Sequence, residues 1–238
     1  MLTRIARAWK RHGPLKFFSL ILFNLKYFTR QFFRPTNISQ PDRAFDNQYG
    51  TDTTDIHEIG ALAIPYENLK YAVRYQPTDM GLFKNIFSDF EIEFSKFSFV
   101  DFGSGKGRIL LLAAEFPFRE IIGVEFSEEL HQIAQRNIFK YRSQFPQCPD
   151  IFLKCCDAVQ SDIPVGSLVC YFYNPFGEKI MERVLLNIEA ALKSSRNEIY
   201  IIYVDPVHRK LLDQSSFFGL VKIDSRYLIY KSTNSFLL

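Results

Sequence analysis

The sequence predicts an α/β protein whose sheet has five parallel strands and a terminal antiparallel hairpin. Three observations lead to this prediction. Short apolar runs alternate with helical segments from residue 97 onward, a glycine-rich turn follows the first run, and only Asp224 and Ser225 separate the last two runs. Strands that alternate with helices form right-handed βαβ units and therefore a parallel sheet. A dinucleotide-binding fold would instead continue with a second βαβαβ half.

Residues 1–35 are predicted to form a basic, amphipathic helical extension. Residues 1–41 contain eight Lys and Arg residues and no Asp or Glu. The apolar run at residues 17–25 is too short for a bilayer span, which needs about 20 residues, and no small-residue cleavage site follows it. Three roles stay open for residues 3–33: packing on the domain or a partner protein, peripheral contact with an anionic membrane surface, and mitochondrial transit.

The rest of the chain is mildly acidic. Of the 29 Lys and Arg residues, 21 remain beyond the extension beside all 26 Asp and Glu, which gives a net charge of −5. A nucleic-acid partner is therefore not expected for the main domain. The four cysteines form no C-x-x-C pair and no ligand spacing with histidine. This pattern indicates buried, reduced thiols in a cytoplasmic protein and no metal site.

Two further parts are predicted after the extension. Residues 36–69 form a connector, because they are polar and contain turn-forming residues such as Pro41 and Gly50. Residues 70–238 form the main domain. Near its start a short helix is expected from about Asp79, with Thr78 as its N-cap.

The main domain then alternates strands and helices. Strands are predicted at residues 97–102, 120–126, 150–155, 167–173, 198–204, 218–223 and 226–231. Helices are predicted at residues 108–115, 128–141, 178–193 and 206–213. Ser127 is expected to cap the second of these helices, whose first turn holds Glu128 and Glu129, where acids favour the helix dipole.

The turn after the first predicted strand carries the chemistry. It reads Asp101-Phe-Gly103-Ser-Gly105-Lys-Gly107-Arg108. Glycines allow positive φ and let the backbone approach a ligand at the carboxyl edge of the sheet. The spacing G-x-G-x-G differs from the dinucleotide fingerprint G-x-G-x-x-G, and no phosphate-loop pattern is present. Asp101 would repel a pyrophosphate but suits the ammonium group of a methionine moiety, so the turn favours S-adenosylmethionine.

Glu125 ends the second predicted strand, 22 residues after Gly103. A carboxylate there can accept hydrogen bonds from both ribose hydroxyls of a nucleoside. Because NAD sites use a carboxylate in the same way, Glu125 indicates nucleoside binding without selecting the ligand. An NAD-linked oxidoreductase is thus an alternative, which the glycine spacing and Asp101 disfavour.

These motifs resemble the class I S-adenosylmethionine-dependent methyltransferases, especially bacterial methyltransferase-domain proteins with V-D-F/L-G-S-G-K-G-R and G-V-E-F-S. The matching segments are residues 100–108 and 123–127, within a resemblance that covers roughly residues 70–235. It implies a Rossmann-like sheet of seven strands whose last strand is antiparallel. It also implies that Ser104, Gly107 and Phe126 belong to the cofactor site.

The resemblance extends the cofactor site beyond the glycine loop. Asp157 would bond the adenine amino group and Ala158 would contribute its backbone, although Asp157 is alternatively a solvated acid at a strand end. Tyr75 and Thr78 lie in a Y-x-P-T element before the loop. They would contact the methionine carboxylate or the methyl acceptor, or else form only a turn and a cap.

The fourth predicted strand ends in Tyr173-Asn174-Pro175-Phe176. This segment is similar to the N-P-P-[YF] motif of amino-group methyltransferases, but one proline is missing. In that motif the Asn side chain and a backbone carbonyl orient the target nitrogen, and the aromatic ring packs on the acceptor group. Asn174, Pro175 and Phe176 are therefore predicted acceptor residues, and a turn that begins a helix is the structural alternative.

The sequence thus predicts methyl transfer from S-adenosylmethionine to an unidentified acceptor, most simply a nitrogen on a protein side chain or small molecule. Because the cofactor is already activated, positioning of the acceptor supplies most of the catalysis. His208 follows the fifth predicted strand and is a candidate base or a surface residue. A non-catalytic cofactor-binding or membrane-associated scaffold protein is the second alternative.

Overall fold

Seven strands form a single sheet in the order β3-β2-β1-β4-β5-β7-β6 in the part of the chain that the structure describes. The computed structural model describes residues 40–54, 78–88, 90–194 and 197–233, all within the compact unit Ser39–Leu238. The strands are β1 (Phe97–Phe102), β2 (Glu120–Glu125), β3 (Ile151–Cys155), β4 (Ser167–Tyr173), β5 (Ile199–Val204), β6 (Phe218–Ile223) and β7 (Tyr227–Ser232). The predicted extension at residues 1–35 and the predicted site residue Tyr75 lie outside the described residues.

The pairing of the strands confirms the predicted fold class. Strands β1 to β5 are parallel to their neighbours. Strand β7 runs antiparallel to both β5 and β6. The chain first adds β2 and β3 on one side of β1 and then places β4 on the other side of β1. The sheet therefore has a topological switch point between β1 and β4. Ligands of open α/β sheets bind beyond the carboxyl ends of the strands at such a point.

The described helices cover both faces of the sheet. They are α1 (Gln40–Tyr49), α2 (Met80–Ser88), α3 (Arg108–Ala113), α4 (Glu128–Gln144), α5 (Glu178–Ser194) and α6 (Lys210–Asp213), and short 3-10 turns occupy Phe94–Lys96 and Ala158–Gln160. One core contains side chains of α1 to α4, and the other contains side chains of α5 and α6. All six residues of β1 are buried because the strand is covered on both faces.

Aromatic rings fill much of the first core. Phe83 and Phe87 of α2 stack with their ring centroids 4.6 Å apart, and the Phe87 ring also lies 6.2 Å from that of Phe99 on β1. Each buried Phe contributes about 1.5–3 kcal/mol relative to an exposed one. The strand edge that carries the glycine turn is therefore anchored in a large apolar core.

Helix caps agree with the sequence in one case and differ in another. The Ser127 hydroxyl accepts a hydrogen bond from the Leu130 amide of α4 at 3.4 Å, as predicted. At α2 the predicted N-cap Thr78 is wrong. The carboxylate of Asp79 instead accepts from the Leu82 amide at 2.8 Å, and Thr78 is buried.

A helix occupies part of the predicted connector. Helix α1 lies within residues 36–69, where the polar composition indicated turns, and its Phe45 is buried. Another difference is the length of α6, which is predicted from residue 206 but begins at Lys210. The cysteines are free thiols; Cys170 is buried as expected, whereas Cys155 at the end of β3 is exposed.

None of the helices in the described ranges is both long enough and apolar enough to cross a bilayer.

Candidate functional site

The glycine turn after β1 is a tight loop made possible by three glycines. Gly103, Gly105 and Gly107 have φ values of 88°, 54° and 84°, the left-handed region that other residues rarely adopt. The amides of Gly103 and Ser104 both donate to the Val124 carbonyl of β2, at 2.9 and 3.0 Å. The loop is thereby tied to the neighbouring strand at the carboxyl edge of the sheet.

Asp101 is a buried carboxyl group on the penultimate residue of β1. Only 3% of the residue is exposed. Burial raises the pKa of Asp101 well above its ordinary value, and the charge of Glu125 raises it further. No hydrogen bond within the described residues offsets this shift in pKa. A buried carboxylate without a partner is costly, so this site favours a cationic ligand.

Glu125 lies at the end of β2 and faces the glycine loop. Its Oε2 accepts from the Gly105 amide and its Oε1 from the Ser127 amide, both at 2.9 Å. Burial raises the pKa of Glu125, and backbone hydrogen bonds from Ser127, Gly105 and Phe126 oppose that shift. A carboxylate offers about four acceptor positions, so Glu125 holds the loop and retains capacity for a ribose hydroxyl.

Ser104 fills the inside of the loop. Its hydroxyl is buried and has no hydrogen-bond partner among the described residues. It lies above Gly123 of β2, where an added Cβ would be 2.8 Å from the Ser104 Oγ. The Ser104 hydroxyl is thus a polar group at the carboxyl edge of the sheet, without a hydrogen-bond partner in the described part of the chain.

The predicted acceptor residues lie directly beside the glycine loop. Asn174 follows β4 with φ of 39°, a left-handed conformation that is unusual for a residue other than glycine. A Cβ added to Gly103 would lie 2.6 Å from the Cβ of Pro175. The structure therefore brings together two motifs that are far apart in the sequence, at the switch point between β1 and β4.

Phe176, the last residue of the predicted acceptor motif, contacts the core. Its ring is half-buried and packs against the core formed with α5 and α6. The packing of this ring on an acceptor group stays a prediction.

Thr78 is near the site but is not a cap. Its hydroxyl lies 3.4 Å from the phenol oxygen of Tyr171 on β4. Tyr171 is the register partner of Asp101 across the β1–β4 ladder. Thr78 is thus placed above the strand pair that carries Asp101, as its predicted site role requires, although a contact with ligand stays a prediction.

The predicted adenine-contacting residues follow β3. The Asp157 Oδ1 accepts from the Val159 amide at 2.9 Å and so caps the short turn Ala158–Gln160. Ala158 is buried beneath it. One carboxylate oxygen of Asp157 thus caps this turn, while the side chain stays partly exposed. Its contact with adenine stays a prediction.

Two cations of the loop were not among the predicted site residues. Lys106 and Arg108 are fully or almost fully buried, and each binds acids or hydroxyls from residues 40–54. The sequence contains only a weak indication of these contacts. Two basic residues lie inside a glycine-rich turn, and an Asp-Thr-Thr run lies in the segment predicted to be a connector.

His208 makes no described side-chain contact that indicates a base. Its backbone amide donates to the Tyr203 hydroxyl at 3.3 Å. Among the described residues no group of His, Cys, Asp and Glu is arranged to hold a metal ion.

No protein-family model and no curated protein matches the chain. Similar solved structures include StiE O-MT, with 17% identity and a TM-score of 0.45 over 60% of this chain, although only 52% of that chain is covered. Magnesium protoporphyrin IX methyltransferase from Synechocystis, with bound SAH, has 10% identity and a TM-score of 0.42 over 64% of this chain and 93% of its own.

A further similar structure is a precorrin 8W decarboxylase from Methanobacterium thermoautotrophicum, with 18% identity and a TM-score of 0.46 over 67% of this chain and 93% of its own. These three likenesses are remote. They transfer no activity to this chain, whose function is inferred from its own residues.

Proposed function

We propose that the chain is an S-adenosylmethionine-dependent methyltransferase whose acceptor atom is a nitrogen. The single observation that carries the proposal is the buried Asp101 carboxyl group, which lies beside a glycine loop and whose raised pKa no hydrogen bond within the described residues offsets. The methionine ammonium is a cation of the right chemistry for this group. A pyrophosphate would instead meet two buried carboxyl groups, Asp101 and Glu125, and would be repelled by both.

The other edge residues fit the remaining parts of the cofactor. Glu125 would accept a ribose hydroxyl with its remaining acceptor capacity, and the left-handed glycines let the backbone approach the ligand. Asp157 and Ala158, after β3, would lie on the adenine side. When bound, S-adenosylmethionine supplies a methyl group already activated on a cationic sulfonium.

Asn174 would position the acceptor. It directly precedes Pro175, whose Cβ would lie 2.6 Å from a Cβ added to Gly103, so we assign its side-chain amide oxygen and a neighbouring backbone carbonyl to hydrogen bonds with the acceptor. Hydrogen-bond acceptors of this kind bind the N–H groups of an amine or amide substrate and orient the nitrogen lone pair toward the methyl carbon. Catalysis then needs orientation and exclusion of water rather than a base, in keeping with the lack of a described base contact for His208.

Ligand binding tests the cofactor assignment. Isothermal titration and thermal unfolding would be measured with S-adenosylmethionine, S-adenosylhomocysteine and NAD. We expect the first two to stabilise the protein, by about 2.7 kcal/mol at a concentration 100 times Kd, and NAD to have no effect. Stabilisation by NAD alone would overturn the proposal in favour of an oxidoreductase.

Turnover tests the transfer step. An extract would be incubated with the protein and methyl-labelled cofactor, and proteins and metabolites would be separated to find the labelled acceptor. We expect Asn174→Ala to reduce labelling at least tenfold while Kd for the cofactor changes little. A wild-type protein that binds the cofactor yet labels nothing would favour a scaffold.

A further inference from the structure

The tip of the glycine loop is held by a buried ion pair with a residue far away in the sequence. Lys106 lies between the left-handed Gly105 and Gly107. Its Nζ lies 2.6 Å from the Asp52 Oδ1, and the Lys106 side chain is 0% exposed whereas that of Asp52 is 51% exposed. A buried ammonium group needs such a partner, because burial without one is strongly unfavourable.

Asn137 of α4 forms hydrogen bonds with both Asp52 and Lys106. Its amide nitrogen donates to the carbonyl groups of both Asp52 and Lys106, each at 2.9 Å. Its amide oxygen accepts from the Asp52 amide, also at 2.9 Å. One buried side chain therefore fixes the backbone of Asp52 relative to the backbone at the loop tip.

Arg108 makes a second connection at the end of the loop. Its guanidinium group donates to the Asp42 carboxylate of α1, to the Thr53 hydroxyl at 2.8 Å and to the Thr78 carbonyl at 3.1 Å. It also lies over the Phe45 ring, 5.0 Å from the centroid. The first residue of α3 thus joins α1, the Thr53 turn and the site residue Thr78.

The turn that carries Asp52 is itself organised by Asp46. The Asp46 carboxylate accepts from the hydroxyls of Thr51 and Thr53, each at 2.7 Å, and from that of Thr54. Burial acts to raise the pKa of Asp46, but these hydrogen bonds outweigh it and lower the pKa below its ordinary value. The turn is therefore ordered by its own residues and presents Asp52 in a fixed place.

We propose that residues 40–54 are a positioning element of the cofactor site, and that Asp52, through Lys106, is a positioning residue for the glycine loop. The inference rests on the proposed cofactor function. A loop with three glycines loses much conformational freedom when it closes on a ligand. Contacts from outside the loop that remove this freedom beforehand lower the entropy cost of binding.

Asp52→Asn is the suitable test variant. Asp52 is half-exposed, so its replacement leaves the cores intact and removes the charge opposite the Lys106 Nζ. The matched control is Glu198→Gln. It breaks the ion pair between Glu198 and Lys231, which has a similar length of 2.7 Å and 41% exposure of each side chain, before β5 at the amino edge of the sheet.

Two measurements would be made on each full-length variant. Hydrogen exchange without ligand would follow the amides of Gly103, Ser104, Gly105 and Gly107. The first three donate to Val124 or Glu125 of β2, and that of Gly107 donates to the Ser104 carbonyl. Titration would give Kd for S-adenosylhomocysteine. For Asp52→Asn we expect loop exchange to be faster on the order of tenfold and Kd to rise about tenfold, equivalent to ~1.4 kcal/mol. Exchange in β4 and α5 should stay at the wild-type rate.

The outcomes separate this inference from the proposed function. Unchanged loop exchange in Asp52→Asn, or an increase matched in β4 and α5, would overturn the positioning role. Equal effects of Glu198→Gln would overturn it too, whereas recovery in Asp52→Glu would support it. A wild-type protein that binds no S-adenosylhomocysteine would defeat the proposed function alone, because loop exchange still decides whether Asp52 orders the loop.

Discussion

At the scale of single residues, Asp101 is a carboxyl group whose burial lowers the stability of the fold. It is buried beside a second carboxyl group, and its pKa is raised by burial and by Glu125. A group whose pKa is raised in the folded state keeps its proton over a pH range in which the unfolded chain has released it. Its contribution to stability therefore falls as pH rises through that range.

Asp101→Asn should separate stability from ligand binding. Removal of this ionisable group should raise the free energy of unfolding without ligand by about 0.5–2 kcal/mol at a pH where the unfolded chain has released the proton. Loss of the charged partner should weaken binding of S-adenosylmethionine by about 1.5–3 kcal/mol. Chemical unfolding and titration measure the two effects, and a variant that is less stable yet binds normally would contradict the assignment.

The raised pKa also predicts how binding depends on pH. The ammonium group of the ligand interacts with the carboxylate form of Asp101, so Kd should increase as pH falls through the raised pKa of this group. This increase should begin at a higher pH than the ordinary value of 3.8 would give. Because Glu125 is coupled to Asp101, the transition belongs to the pair. Titrations of the wild type and Asp101→Asn between about pH 5 and 9 should differ in slope, and parallel curves would exclude Asp101 as the titrating group.

At the scale of elements, the contact between the glycine loop and the turn after β4 makes one site from two motifs. Gly103→Ala would place a Cβ 2.6 Å from that of Pro175, at a φ of +88°. Gly166, before β4 at the other edge of the sheet, is the control, since its φ is +109° and an added Cβ would meet only the guanidinium group of Arg119.

Gly166→Ala should lower the free energy of unfolding by only about 1–2 kcal/mol, the usual effect of an alanine with positive φ. Gly103→Ala should cost more and should also reduce methyl transfer at least tenfold, because Asn174 and Pro175 must move. Urea unfolding and labelling assays compare the two variants. Equal losses in both would mean that the Pro175 contact has no functional consequence.

The regular elements could be predicted because their apolar periodicity is local. The boundaries of β4 agree with the prediction, and β1 to β3 differ by at most one residue. Helix α1 could not be predicted in this way. Its sequence, rich in Asp, Asn and Gln, has weak intrinsic preference for a helix, and its position depends on a guanidinium group that lies far along the chain.

The candidate site likewise contains residues that could be predicted from the sequence and residues that could not. Asp101 and Glu125 could be found from the sequence because each lies at the end of a strand that can be recognised. The buried pairs of Lys106 and Arg108 could not, since a basic residue in a loop is ordinarily exposed. Only the folded arrangement brings residues 40–54 onto the loop.

At the scale of the whole molecule, the useful boundary of the domain lies before α1. A pair of truncated chains tests this boundary, one that begins at Ser39 and one that begins after Thr54. The compact unit Ser39–Leu238 retains the partners of Lys106 and Arg108. The shorter chain lacks them.

The truncated chain that begins at Ser39 should keep the wild-type Kd for S-adenosylhomocysteine. The shorter variant should unfold at lower urea concentration and bind at least tenfold more weakly, because two buried cations lose their acids. Titration and urea unfolding decide the matter. Vesicle flotation of the full chain and the Ser39 variant tests the predicted membrane contact of residues 3–33 in parallel.

The position of β7 in the sheet affects the order in which the sheet can be completed during synthesis. Strand β6 pairs with β7, and β7 alone joins it to β5. During synthesis, β6 therefore emerges before the strand that will hold it in the sheet. Strands β1 to β3, which carry the glycine loop, are synthesised well before β7. The edge of β5 that pairs with β7 stays unpaired until residues 227–232 leave the ribosome, so the sheet is completed last on this side.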